Sequence, residues 1–285
     1  MIGLVKKTGL VLEGGGMRGL YTSGVLEYLL EKRIYYSYVV GVSAGASNSC
    51  NYVARQKERG LRVNLNYLND WRYMSLRSLL YKRSYFGLDF LFGDIPNQLD
   101  PFDYDNFYSS PGVFRIGATN CISGQTDYFD KHEITMNLEH LKASCSLPIL
   151  SPIVHINDVP YLDGGIADPI PVRKALNDGC EHVVVVLTQP QGYRKEPTSK
   201  KINFIYRRVF RKYPKLLQAL EARHIHYNET VAFVEELERQ GIATIIRPDG
   251  SLMPQRFEKN AAILRTLFEQ GHGDAALKLE RGMRI

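Results

Sequence analysis

Tyr38-Val39-Val40-Gly41-Val42-Ser43-Ala44-Gly45-Ala46-Ser47 decides how the chain is read. A short apolar run ends in Gly-x-Ser-x-Gly with small residues behind it. That pattern predicts a strand stopping abruptly, a sharp turn carrying one hydroxyl, and a helix leaving at once. Gly41 and Gly45 lack the Cβ atoms that would collide where strand and helix pack around the turn. Ser43 then stands at the carboxyl end of a strand and beside a helix N-terminus, whose first N–H groups are free to meet developing negative charge.

Upstream, Thr8-Gly9-Leu10-Val11-Leu12-Glu13-Gly14-Gly15-Gly16-Met17-Arg18-Gly19 reads as a strand running into a glycine-rich turn. Leu20–Lys32 reads as a helix with Leu20, Val25, Leu26, Leu29 and Leu30 on its apolar face. A second strand over about Tyr36–Val42 and a helix over about Ala44–Arg59 complete a β-α-β-α order, which predicts an α/β fold with a parallel sheet and right-handed crossovers. The glycine turn and the serine turn both follow strands, so both lie at the carboxyl edge where open α/β sheets bind ligands.

Downstream, residues 60–110 mix tyrosine and phenylalanine with bases, as in Tyr81-Lys82-Arg83-Ser84-Tyr85-Phe86, and prolines interrupt them. They read as short helices and loops wrapping the sheet edge, either lining an apolar channel or packing as a surface excursion. Val113–Asn120 and Gln125–Phe129 read as one hairpin. Residues 152–162 read as another, with its turn at Asn157-Asp158, and it delivers Asp163-Gly164-Gly165. His182–Leu187 is the strongest buried-strand signal. A polar linker at 190–201 precedes a largely helical stretch over Ile202–Gln240, a last strand at Ala243–Ile246 and a helix over Arg256–Gly271.

The 285 residues suffice for one large domain, and 44% hydrophobic with 23% charged is an ordinary globular balance. No run approaches the ~18–20 apolar residues that cross a bilayer. Met1–Lys7 lacks the pattern of a secretory leader. Cys50, Cys121, Cys145 and Cys180 have neither metal-ligand nor dense disulfide spacing, so free thiols in a reducing compartment are expected. The expected location is the cytoplasm.

A serine hydroxyl attacks poorly until a neighbour accepts its proton, and the resulting oxyanion needs preorganised donors. The consecutive glycines Gly14, Gly15 and Gly16 let backbone N–H groups approach a ligand and suit an oxyanion hole for attack by Ser43. For the base, a Ser-His-Asp order would recruit His182, His224, His226 or His272, none in a persuasive setting. Asp163 ends an apolar strand with two glycines behind it; it serves either as the base of a Ser-Asp dyad or as an ordinary Asp-Gly turn residue. Gly14-x-Gly16-x-x-Gly19 also fits a dinucleotide fingerprint, but the second strand ends in Val39-Val40-Gly41 where that reading wants an acid.

Gly14–Gly19, Gly41–Gly45 and Asp163–Gly165, in that order, resemble the signature of the patatin-like phospholipases, bacterial-type members in particular. Ala143–Pro148 is similar to a further block of that family, and Asp163–Pro171 to its dyad segment. The resemblance covers roughly residues 8–190. It implies a three-layer α/β/α sandwich with a mainly parallel central sheet, and hydrolysis of lipid acyl esters through an acyl-serine without metal or other cofactor. It assigns Ser43 as nucleophile, Asp163 as base and the Gly14–Gly16 backbone as oxyanion hole, with Gly19, Gly41, Gly45, Gly164 and Gly165 in support. Arg18 matches the motif's arginine, either as a structural tie or in charge stabilisation. The whole chain, 1–285, is then one catalytic domain, with 8–190 as core and 191–285 as a mostly helical extension packed on it. Ionised Asp163 is needed at the start, so activity should fall as the pH drops and that carboxylate is protonated. An esterase, thioesterase or acyltransferase on the same dyad is the nearest alternative, and a catalytically silent lipid-binding module the alternative of another class.

Lys and Arg gather over 194–215, beside Ile202, Ile205, Tyr206, Val209, Phe210 and Tyr213 at helical spacing. The stripe suits an interfacial helix on an anionic membrane, or a surface helix docked on the core. Nucleic acid is not an expected partner, and the oligomeric state is open.

Overall fold

A computed structural model describes residues 7–82 and 84–282. The readings of Met1–Lys6 and of Arg83 lie outside the described residues. The first half of the chain forms β1 (Thr8–Leu12), α1 (Gly19–Glu31), β2 (Tyr38–Val42), α2 (Ala44–Val53), α3 (Arg59–Asn66) and α4 (Leu76–Lys82). A π-helical segment at Phe90–Leu99 follows, then α5 (Tyr104–Ser109), β3 (Val113–Asn120), β4 (Thr126–Asp130) and α6 (Glu139–Ser144). The rest comprises β5 (Val154–Ile156), β6 (Val159–Asp163), α7 (Val172–Asn177), β7 (His182–Val186), α8 (Lys200–Val209), α9 (Pro214–Arg239), β8 (Ala243–Ile246) and α10 (Ala261–Gly282).

The expected mainly parallel sheet is present. It has eight strands in the order β5-β6-β3-β2-β1-β7-β8, with β4 paired to β3. The run from β3 to β8 is parallel, whereas β4 and β6 are antiparallel to β3. The continuous apolar runs in the central strands follow from cover on both faces, because alternate residues must all be buried. Leu10, Leu12, Val39, Val184 and Val186 join the core beneath α1, α2 and α10. Val11, Val40, Val183 and Val185 join the opposite core, beneath α7 and α9. Helices on both faces make the three layers.

The register around β3 positions the site. β4 spans Arg115–Thr119 on one edge, so β2 and β6 share the other edge, end to end. Parallel β2 pairs Val42 with Gly117, and antiparallel β6 pairs Asp163 with Ala118. The two strands run head-on along β3, and their carboxyl ends meet where neither can continue. The β5–β6 hairpin that delivers Asp163 turns on Asn157 and Asp158, at φ 48° and 65°, the left-handed pair that a two-residue hairpin requires.

Two helices depart from expectation. α2 stops at Val53 instead of reaching Arg59, because Arg55 turns left-handed (φ 57°) and Gln56 N–H closes on Asn51 O at 2.8 Å. The last helix begins at Ala261, where the Asn260 side chain accepts the amides of Ala262 and Ile263 at 3.0 and 3.3 Å. It runs through Gly271 rather than ending there. Gly271 is a contact glycine: a Cβ on it would lie 2.1 Å from Tyr21 O of α1.

Candidate active site

Ser43 is the sharp turn between β2 and α2, at φ 53°, ψ −126°. A side-chain-bearing residue holds this conformation only when its surroundings over-determine it. The Ser43 N–H donates to Ser144 Oγ at 2.8 Å, and Ser144 Oγ–H donates to Gly117 O at 2.7 Å. A Cβ on Gly45 would lie 2.5 Å from Leu12 O, and one on Gly41 2.7 Å from the Gly45 carbonyl carbon. Glycine is thus required on both sides of the serine, for the reason the sequence suggests.

Asp163 is the last residue of β6. Its N–H donates to Ser146 O at 2.7 Å, and Thr119 Oγ1 donates to its carbonyl at 2.9 Å. Oδ1 accepts the Gly165 amide at 2.9 Å, which leaves Oδ2 to accept from Ser43 Oγ–H at 2.6 Å. Ser43 is 8% exposed and Asp163 2%, so the pair is nearly dry. Gly164 lies against Gly117, where a Cβ would come within 2.2 Å of the carbonyl oxygen.

The glycine turn faces this pair, and a Cβ on Gly14 would stand 3.0 Å from Ser43 Cβ. The Gly14 N–H is directed at Pro169 O over a long 3.4 Å, while the Gly15 and Gly16 amides donate to nothing among the described residues. Gly16 adopts φ 60°, and the loop is pinned by Met17 N–H to Arg256 O at 3.0 Å and by Asn48 Nδ2 to Gly19 O at 2.8 Å. Arg18, expected either as a structural tie or in charge stabilisation, lines the cavity on which this turn opens, and its Nε is buried with no hydrogen-bond partner among the described residues.

These elements open on one cavity of about 1310 Å³, counting its mouth. Val63, Tyr73, Phe86, Leu88, Phe92 and Phe102 line an apolar part, so rings from the 60–110 segment face the cavity. Arg18, Lys195, Arg223, Arg256, Glu13 and Tyr227 line another part. Cys145 also lines it, but burial pushes its thiol well above the usual range, so it stays protonated. None of His182, His224, His226 and His272 lines the cavity; His272, for example, sits 2.8 Å from Glu31. Among the described residues, no three His, Cys, Asp or Glu side chains gather as a metal would need.

Sequence reasoning passed over several residues of the site. Ser144 lies in the Ala143–Pro148 block, where nothing in the sequence assigns it a role. Glu13 stands directly before the glycines; it is 2% exposed, accepts the Thr188 amide at 2.6 Å, and burial raises its carboxyl above the usual range. Arg223, in the middle of α9, donates from Nε to Gly165 O at 2.8 Å. Nothing in its sequence setting separates it from the other charges of that helix.

Comparison with known proteins places these features in a family. A family model described as "Patatin-like phospholipase" matches residues 10–176, and a domain of unknown function, DUF6363, matches 213–284. The uncharacterized protein YjjU of Escherichia coli is 29% identical over 188 residues, covering 64% of this chain and 52% of that protein. Lysophospholipase NTE1 of Meyerozyma guilliermondii is 27% identical over 188 residues, 62% of this chain but 12% of that protein. The chain therefore spans about half the length of one curated relative and far less of the other. Among solved structures, VipD from Legionella pneumophila aligns over 97% of this chain and 67% of its own, with a TM-score of 0.47 and 12% identity. Matched over more than half of its 285 residues, the chain belongs to the patatin-like phospholipase family.

Proposed function

We propose that the chain is a serine hydrolase that cleaves carboxylic esters of lipids through an acyl-Ser43 intermediate, with Asp163 as general base. Family membership supports lipid hydrolase activity. The observation that carries the finer reading is the 2.6 Å hydrogen bond from Ser43 Oγ to Asp163 Oδ2 in a nearly dry setting. Asp163 Oδ2 takes the proton as Ser43 Oγ attacks the ester carbonyl, while the Gly165 amide holds Oδ1 and fixes the carboxylate's orientation. The open amides of Gly15 and Gly16 are the donors for the oxyanion, and Gly14 N–H joins them by releasing its long contact with Pro169. Protonated Asp163 then gives its proton to the leaving alkoxide. Water repeats the cycle on the acyl-enzyme. Profiling a lipid mixture by mass spectrometry before and after incubation tests this: wild type releases fatty acid, and Ser43→Ala releases none. Equal release by both proteins would reject the reading.

The cavity draws Lys195, Arg223 and Arg256 from beyond residue 190, which supports one catalytic unit with 191–285 as its extension. The reading extends to a peripheral enzyme. No helix among the described residues is long and apolar enough to cross a membrane. Tyr206 of α8 and Phe210 just after it pack in one cluster with Leu162 and Leu216, but Ile202, Phe204, Ile205 and Val209 stay exposed beside Lys200, Lys201 and Arg208. An anionic bilayer complements that face, each nearby cation contributing about 1 kcal/mol. Reversing Arg208, Arg211 and Lys212 to Glu should weaken sedimentation with phosphatidylserine vesicles at least tenfold; unchanged binding would reject the contact.

A further inference from the structure

We infer that Arg223 is a positioning residue for the dyad: from the middle of α9 it holds the turn behind Asp163, so the chain after residue 190 takes part in catalysis through that turn. The inference rests on the proposed esterase reading and gives its 191–285 extension a task.

Asp163 is restrained on both sides. Ahead of it, β6 pairs with β3, and the Asp163 N–H donates to Ser146 O at 2.7 Å. Behind it, the chain turns at once through Gly164–Ile166, and Oδ1 relies on the Gly165 amide at 2.9 Å. This turn cannot extend into a helix that serves its own carbonyls, because Pro169, four residues beyond Gly165, has no N–H to give. The Gly165 carbonyl instead accepts Arg223 Nε–H at 2.8 Å. Glycine has the freest backbone of any residue, so a contact from outside restrains the position on which the carboxylate's orientation depends. Burial and the neighbouring Arg256 lower the Arg223 guanidinium from its usual range, while the nearby Asp163 carboxylate opposes them.

The same face of α9 reaches the second catalytic turn. Tyr227, one helical turn beyond Arg223, is buried and stands against the carboxyl of Glu13, the residue directly before the glycines. Arg256, in the connection after β8, accepts the Met17 N–H on its carbonyl at 3.0 Å, and a Cβ on Gly16 would lie 2.7 Å from that oxygen. Arg223, Tyr227 and Arg256 all fall within 213–284, the stretch matched by the domain of unknown function and outside the 10–176 match. That stretch therefore touches the oxyanion turn and the dyad turn together, and Arg223 is its grip on the dyad. Releasing Gly165 would let the carboxylate swing away from Ser43 Oγ, and a misplacement of about 1 Å costs on the order of 10²-fold in rate.

The test compares the full chain with Arg223→Gln and Arg223→Lys on p-nitrophenyl butyrate. This ester is uncharged, so losing a cation cannot act through attraction to an anionic substrate. In R223Q, kcat should fall about 10- to 100-fold with KM changed less than about threefold. R223K keeps a buried cation and a donor, which guards against misfolding, and should show the same split at smaller size. Arg247→Gln is the control. It breaks a 2.8 Å pair with Glu235 of the same helix, neither residue lining the cavity, and should lower the unfolding midpoint with kcat unchanged. Unchanged kcat in R223Q, a raised KM at constant kcat, or an equal loss of kcat in R247Q would overturn the inference. Hydrogen exchange of the amides at 163–168 reads the same contact without turnover. R223Q should speed it at least about tenfold while β7 is unaffected, and unchanged exchange would overturn the positioning role. Faster exchange together with no hydrolysis by wild type would uphold the hold on the turn while rejecting the esterase reading.

Discussion

Asp163 and Ser144 touch the same serine, yet losing either should act differently. Asp163→Asn keeps the shape and the Gly165 contact but can no longer take a proton at Oδ2. Ester hydrolysis should fall about 10²–10⁴-fold with the unfolding midpoint nearly unchanged. Ser144→Ala instead strands the Ser43 amide and the Gly117 carbonyl in a buried site. It should destabilise by about 1–3 kcal/mol in urea unfolding and lower activity too, since it releases a strained turn. Asp168 supplies a pH test nearby. Burial pushes its carboxyl up to about 6, against the Tyr128 hydroxyl that donates to it at 2.5 Å. The folded state therefore holds this proton more tightly than the unfolded one, and the penalty builds as pH rises from about 4 to about 6 and is complete above that. Asp168→Asn, which keeps an acceptor for Tyr128, should stabilise by up to about 3 kcal/mol at pH 8, and the gain should vanish by about pH 4. Denaturant midpoints across that range measure it.

At the scale of elements, the site depends on β2 and β6 meeting end to end on one edge of β3. Much of this was legible in sequence. Gly41 and Gly45 around Ser43 announce a close approach of strand and helix, and Gly45→Ala should destabilise by about 1–3 kcal/mol because its methyl meets the Leu12 carbonyl. Asp163 was legible as the end of a strand with glycines behind it. The head-on register was not, because pairing between strands some 120 positions apart leaves no local period. The cations Lys195, Arg223 and Arg256 were illegible for a related reason: in the sequence each is one base among many, and only the tertiary path brings them to the glycine turn. Helix boundaries failed where glycine has two meanings. Gly271 reads as a stop, yet it permits a helix crossing.

Over the whole molecule, the two ends of the described chain support each other. α10 lies across α1, with Tyr21 Oη donating to Asp274 Oδ2 at 2.8 Å. At the crossing a Cβ on Gly24 would lie 1.9 Å from Phe268 O, so only glycine permits this approach. Gly24→Ala should force the helices apart and lower stability by about 1–3 kcal/mol, seen as a shifted urea midpoint at constant slope. α1 leaves directly from the glycine turn, so activity should fall alongside stability. The central claim concerns the dyad, and covalent trapping reads it most directly. The folded protein is treated with a fluorophosphonate, and the modified peptide is mapped by mass spectrometry. One adduct is expected, on Ser43, lost in Ser43→Ala and formed at least a hundredfold more slowly in Asp163→Asn. Labelling of another residue, or unchanged labelling when Asp163 is replaced, would contradict it.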